Sequence, residues 1–348
     1  MNSSEYASFI QRLNPLISAG DLEGVAELAD ANPGGLQFKG SLLDDYEGKC
    51  AMHCAVEQNQ PEILRFLISR GVSLKVPLVW NHEELYPIHV AVRNGYFEIF
   101  RILFPLSPLD IEGYTILHEA AYSSQLEMFR LIVELSGLRL DIPDVSKWTP
   151  IHYAALSNSI EAIRMLVELG SPHLNSLTYD HKSVYHLIFE VLNPSVDYVA
   201  TINTLWQLGA RVHNQPDRNG FHPIHLAAFN HNSVAIEALV NLDSDILSVT
   251  TRHGYSALYL AIVGGNGPDG EDFDEWEDRI STPGFIHPSS PLSKKFLECV
   301  AVLKSHGATA VTDHLNSDQL ELLSQPVDEE MVISIRHRIY FSASLVQD

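Results

Sequence analysis

Basic residues are scarce in this chain. Its 348 residues include 22 lysines and arginines against 44 aspartates and glutamates, a formal charge of −22. That balance repels phosphate backbones and anionic lipid headgroups. It argues against general nucleic-acid or membrane-surface binding and favours a partner with a basic patch. Cysteine is rarer still. Cys50, Cys54 and Cys299 do not make a disulfide framework, so a reducing, cytoplasmic setting is expected. No apolar run reaches the roughly 18 residues of a membrane span. The first residues also lack the basic-then-apolar layout of a secretory signal. Catalytic signatures are missing as well: there is no Gly-x-Ser-x-Gly, no Gly-x-x-x-x-Gly-Lys and no His-Glu-x-x-His.

What the chain has instead is one heptapeptide, written several times. Thr149-Pro150-Ile151-His152-Tyr153-Ala154-Ala155 is the clearest copy. Tyr86-Pro87-Ile88-His89-Val90-Ala91-Val92, Thr115-Ile116-Leu117-His118-Glu119-Ala120-Ala121 and His222-Pro223-Ile224-His225-Leu226-Ala227-Ala228 repeat it. Weaker copies surround His53 and His186, and Ser256-Ala257-Leu258-Tyr259-Leu260-Ala261 is the last. From His53 onward the steps are 36, 29, 34, 34, 39 and 34 residues, ending at Tyr259. A period near 33 residues carrying this heptapeptide resembles the ankyrin signature. The resemblance covers most of the chain up to about residue 312. It implies an all-α fold: an ankyrin-repeat solenoid of helix-turn-helix units with β-hairpin-like loops, about seven repeats plus N- and C-terminal caps. A repeat array grows by adding units, so one elongated body accommodates the length.

In chain order, Tyr6, Phe9, Ile10 and Leu13 sit at helical spacing and start a helix. Gly20-Asp21-Leu22-Glu23 falls where such a repeat turns into its second helix, so 1–40 reads as a degenerate N-terminal capping repeat. The repeats fill 41–312. A threonine-like residue caps each first helix, often with proline at its first position, where a missing N–H is harmless. The alanine pair keeps the first helix thin for stacking. Second helices carry the bulk, as in Ile63, Leu64, Phe66, Leu67 and Ile68, or Ile163, Met165, Leu166 and Val167. Gly71, Gly170 and Gly209 fall just past second helices, where a left-handed cap suits glycine. The 29-residue step predicts a hairpin shortened after Pro105 behind a second helix of normal length. The 39-residue step predicts extra residues near Leu192-Asn193-Pro194. In the Tyr259 unit the first helix ends at Gly264-Gly265 and the second resumes near Ser293-Lys294-Lys295-Phe296. Between them lies an acidic insertion at about 267–292. Seven carboxylates there face one base, Arg279, with Phe273 and Trp276 interleaved before a stretch holding Pro283, Pro288 and Pro291. Residues 313–348 read as a C-terminal helical cap or tail.

Each candidate site has a plainer reading. Histidines recurring once per unit stand about 10 Å apart, the thickness of a helix layer, too far to share a zinc. The resemblance implies that they hydrogen-bond neighbouring loops. Cys50-Ala51-Met52-His53-Cys54 has no second ligand pair. Gly265-Asn266-Gly267-Pro268-Asp269-Gly270 formally matches a dinucleotide loop, but it follows a helix and runs into carboxylates. No metal and no cofactor are expected. The insertion lacks EF-hand spacing. It stays open between a solvated loop, a cation site and a docking segment in which Phe273, Trp276, Asp272 and Glu275 meet a basic partner.

The resemblance implies contact through hairpin tips and first helices, on the concave side. The position before each cap runs Lys49, Leu85, Tyr114, Trp148, Lys182, Phe221, Tyr255. A second slot, at the end of the first helix, runs Glu57, Arg93, Tyr122, Leu156, Glu190, Phe229, Val263. Partner binding is therefore assigned to Tyr114, Tyr122, Trp148, Leu156, Phe221, Phe229, Tyr255 and Arg93, an exposed aromatic stripe flanked by charge. The expected function is a monomeric, non-enzymatic protein–protein adaptor. The alternative is an enzyme or enzyme regulator using the insertion as pseudo-substrate or cation-dependent element. Asp328-Glu329-Glu330 ahead of a hydrophobic end also resembles glutamate-rich type IV secretion signals. That resemblance implies a bacterial effector translocated into a host cytosol.

Overall fold

The computed structural model describes residues 3–32, 34–36, 51–74, 78–80, 83–106, 110–111, 113–171, 174–190, 197–263, 294–309 and 324. Lys49, Cys50, the acidic insertion and, apart from Ser324, the C-terminal 313–348 lie outside the described residues. The chain divides into two compact units, Met1–Val145 and Ser146–Asp348.

In the first unit, α1 (Ser3–Ala19) and α2 (Leu22–Ala31) pair across a turn at Gly20. Phe9, Ile10, Leu13 and Ile17 form the buried stripe of α1, which runs on past Pro15. Asp21 caps α2 by accepting the Gly24 N–H at 2.9 Å. Helices α3 (Ala51–Glu57) and α4 (Pro61–Ser69), α5 (Pro87–Arg93) and α6 (Phe97–Leu103), and α7 (Ile116–Tyr122) and α8 (Leu126–Ser136) form the following pairs. First helices stack in the order α3, α5, α7, and α2, α4 and α6 stack behind them. Two antiparallel hairpins precede first helices: β1 (Leu78–Trp80) with β2 (Glu83–Leu85), and β3 (Asp110–Ile111) with β4 (Tyr114–Thr115). One expectation needs correcting. Helix α6 has 7 residues where α4 has 9 and α8 has 11. The short spacing therefore comes partly from the second helix. It stops two residues before Pro105, which has no N–H to carry the helical hydrogen-bond ladder onward.

The second unit repeats the plan with α9 (Pro150–Leu156) and α10 (Ile160–Glu168), α11 (Val184–Leu187) and α12 (Tyr198–Gln207), and α13 (Pro223–Phe229) and α14 (Ser233–Leu242). A 3₁₀ turn at Ser244–Ser248, then α15 (Ala257–Val263) and α16 (Lys294–Ser305) complete it. Helices α9, α11, α13 and α15 stack in that order, and α10, α12, α14 and α16 form the second layer. Helix α11 has 4 residues where α9 and α13 have 7. Beyond it the chain tightens into bonds from Phe189 N–H to the His186 carbonyl and from Glu190 N–H to the Leu187 carbonyl.

The core is the alanine-lined faces of the first helices against the bulky faces of the second. Ala120, Ala121, Ala154, Ala155, Ala227 and Ala228 are all at most 1% exposed, as are Leu64, Phe100, Phe129, Ile163, Leu205 and Leu239. Small side chains on one layer let the backbones approach, and large ones on the other fill the space between. Gly220 shows how close successive hairpins come. Its φ is +85°, and a Cβ there would stand 2.6 Å from the backbone nitrogen of Arg252.

Candidate interaction surface

The surface is built on the caps of the first helices, and in α7, α9, α11 and α13 histidine is the fastener. In α7, Thr115 Oγ1 accepts the Leu117 N–H at 3.2 Å, while the Thr115 N–H donates to His118 Nδ1 at 2.9 Å. The Thr149, Ser183 and His222 N–H groups reach His152, His186 and His225 Nδ1 in the same way, each at 3.0 Å. An Nδ1 that accepts an amide proton leaves the ring proton on Nε2. That proton is donated onward to the next hairpin. His152 Nε2 meets the Ser176 carbonyl at 3.1 Å, His186 the Phe221 carbonyl at 3.0 Å and His225 the Val249 carbonyl at 3.3 Å. Both nitrogens are used in the neutral form. Burial pushes the pKa values of His89, His186 and His225 down to about 3. Among the described residues no group of three or more histidine, cysteine, aspartate or glutamate side chains is placed to hold a metal ion.

On this frame the expected binding residues separate. Tyr122 is 36% exposed at the end of α7. Trp148, Leu156 and Phe229 are half-buried in the second unit. Trp148 leans on Tyr153, ring centroids 5.2 Å apart, and on His152 at 6.4 Å. These four keep part of their surface open.

Phe221 and Tyr255 do not. Phe221 is 0% exposed and Tyr255 7%. Phe221 lies edge-on to His225 at 6.1 Å, and its N–H donates to Asp217 Oδ1 at 2.8 Å, which folds the hairpin over the ring. Tyr255 stacks on Tyr259 at 4.8 Å. Both belong to the core between repeats, and the expectation that they form part of an exposed stripe is corrected.

Arg93 is corrected in a different way. Its Nε and Nη2 donate to Glu119 Oε1 and Oε2 at 2.6 and 3.0 Å, and Glu119 also accepts the Tyr114 hydroxyl at 3.0 Å. The Arg93 side chain is 26% exposed and that of Glu119 0%. Arg93 therefore neutralises a buried carboxylate of the neighbouring repeat instead of offering its charge outward. The Tyr114 ring is held between His89 at 5.8 Å and His118 at 5.5 Å, half-buried. Phe273, Trp276, Asp272 and Glu275 lie outside the described residues.

Sequence reasoning missed Glu119, the acceptor at the centre of that network. It also missed the basic residues and the tyrosine at the hairpin tips of the second unit. There Lys147, Tyr179, Arg218 and Arg252 are all exposed. Their signal was available in Ser146-Lys147-Trp148, Tyr179-Asp180-His181-Lys182, Arg218-Asn219-Gly220 and Arg252-His253-Gly254. The basic residues lie near the turn position, where a tip points away from the helices.

Among the described residues no helix is long and apolar enough to cross a membrane. Comparison with known proteins agrees with the repeat architecture. A family model described as ankyrin repeats, three copies, matches residues 88–178, and a second, described as ankyrin repeats, many copies, matches 51–104. The chain is 38% identical over 69 residues to human transient receptor potential cation channel subfamily A member 1. That match covers 20% of this chain and spans 6% of the length of that relative. Among solved structures, the ankyrin repeat domain of Bcl-3, described as a unique member of the IkappaB protein family, is 22% identical with a TM-score of 0.43. It covers 62% of this chain and 92% of its own. Family models matching residues 51–178 show that this part of the chain consists of ankyrin repeats, and the same cap, histidine and alanine pair recur beyond it.

Proposed function

We propose that this chain is a non-enzymatic adaptor that holds a protein partner against the ends of its first helices. Ankyrin repeats are in general protein-interaction modules. The observation that carries the reading further is the partial exposure of Trp148, Leu156 and Phe229 on α9 and α13 and the hairpin before them, while Phe221 and Tyr255 go to the core. Large apolar side chains left half open on a rigid frame are what hot spots are made of, and pre-organisation lowers the ordering cost of binding. The partner is a folded protein or segment that buries these rings, with a basic patch to match the overall charge of −22.

The test is affinity capture from cell lysate followed by titration of the purified captured protein. Trp148→Ala with Phe229→Ala should weaken binding by about 2 kcal/mol or more while leaving the helical circular dichroism signal unchanged. An unaltered dissociation constant in that double variant would reject the helix-end surface.

A further inference from the structure

We propose that the hairpin tips of the second unit form a cationic row that binds an extended acidic peptide. This rests on the reading that the repeats bind protein segments, but it names the chemistry of one partner and places it along the exposed hairpin tips. Lys147, Tyr179, Arg218 and Arg252 belong to four successive hairpins of this unit, and each is exposed. They are physically continuous. Tyr179 is 56% exposed and takes the Lys147 ammonium at 5.9 Å and the Arg218 guanidinium at 5.4 Å from its ring centroid. The Tyr179 N–H donates to the Ser146 carbonyl at 2.8 Å, and the Arg218 N–H to the Asp180 carbonyl at 2.7 Å. The Arg252 guanidinium donates to the Arg218 carbonyl.

The charge of the row is local. Asp180, 57% exposed, stands 3.6 Å from Arg218 and offsets part of one cation. The Asp217 carboxylate is turned into its own hairpin, where it accepts the N–H groups of Asn219 and Phe221 at 2.9 and 2.8 Å. Lys182 is paired with Glu190. His181 and His253 are also exposed near these tips. With Asp144, half-buried three residues before Lys147, also counted, a small excess of cations remains at the tips of a protein whose overall charge is −22. A basic patch on an acidic body steers an acidic ligand to that place, because the rest of the surface repels it.

Spacing makes the proposal specific. Stacked helices set successive hairpins about 8–10 Å apart, and an extended chain rises about 3.4 Å per residue. A peptide lying along the tips therefore meets one hairpin every third residue. Carboxylates at i, i+6 and i+9 would reach Lys147, Arg218 and Arg252, and the residue at i+3 would cross the Tyr179 ring.

The experiment is fluorescence anisotropy on the full chain with a labelled ten-residue peptide that has glutamate at every third position. A lysine version and a version with its glutamates contiguous serve as controls. Binding should weaken as salt rises, and both controls should bind at least about tenfold more weakly. Lys147→Glu/Arg218→Glu/Arg252→Glu should weaken it by at least about tenfold, and the glutamine triple variant, which carries less risk to folding, by a smaller factor. Phe229→Ala should leave it within about twofold. Unchanged binding by both triple variants, or no association with wild type at low salt, would overturn the row. Loss in Phe229→Ala with retention in the triple variants would also overturn it, while leaving the helix-end adaptor standing. Failure of the captured-partner titration, with the peptide result intact, would remove the adaptor surface and not this one.

Discussion

Two charge pairs occupy neighbouring slots of the same repeat plan and behave oppositely. In the first unit, Arg93 holds Glu119 with two bonds, across repeats, around a carboxylate that is 0% exposed. In the second, Lys182 meets Glu190 with side chains 33% and 26% exposed. The first pair is welded into the stack and the second is partly open to water. An equivalent position in two repeats thus carries either a buried network or a solvated contact, depending on what the next repeat places over it. The difference matters energetically because a buried carboxylate stripped of its partner keeps its full desolvation cost, while an exposed one is rehydrated.

The sharpest way to break that comparison is Arg93→Ala. It leaves the Glu119 carboxyl buried with only part of its network, and it should cost about 3–5 kcal/mol in denaturant unfolding. A loss below about 1 kcal/mol would show that the site hydrates. Histidine offers a second contrast. His186 uses both ring nitrogens, whereas His89 donates to the Tyr114 carbonyl at 3.3 Å and its buried Nδ1 has no partner. Both rings are 0% exposed, so truncation empties comparable space. His186→Ala should therefore cost about 2 kcal/mol more than His89→Ala, the difference being stranded backbone groups. Equal losses would mean that the caps rehydrate.

Acidification probes the same histidines. Their folded pKa values lie near 3, below the unfolded value of 6.5, so the unfolded chain takes up protons first. Stability is fully present above about pH 6.5 and falls as pH drops toward 3, by up to about 1.4 kcal/mol per pH unit for each such histidine. Unfolding free energies measured at pH 7.5 and 5.5 should show this slope, and His186→Ala should flatten it by one residue's share. A flat profile would contradict the neutral fastener. The smallest effect belongs to the partly open pair: Lys182→Met should change stability by at most about 1 kcal/mol, measured in the same assay.

Local readings survived wherever the physics is local. The start of α1, the turn at Gly20, the caps at Thr115 and Thr149 and the glycines closing second helices depend on side chains a few residues apart, so spacing alone reveals them. The histidines could be read as structural because one per repeat cannot converge on a ligand. The length of α6 was misjudged because apolar spacing continues beyond the point where the helix stops.

The sequence by itself determined the repeating unit, its two helices and its capped ends, because each is set by residue types within a few turns of chain. Only the tertiary structure decided the fate of the variable slots. Trp148 and Phe221 stand at the same place in their repeats, yet one is half-buried and the other is 0% exposed. Likewise Arg93 looked like a free surface charge until the next repeat brought Glu119 against it. Whether a ring or a charge meets water is settled by the neighbour that stacks over it, and that neighbour lies roughly 33 residues away, beyond the reach of any local pattern.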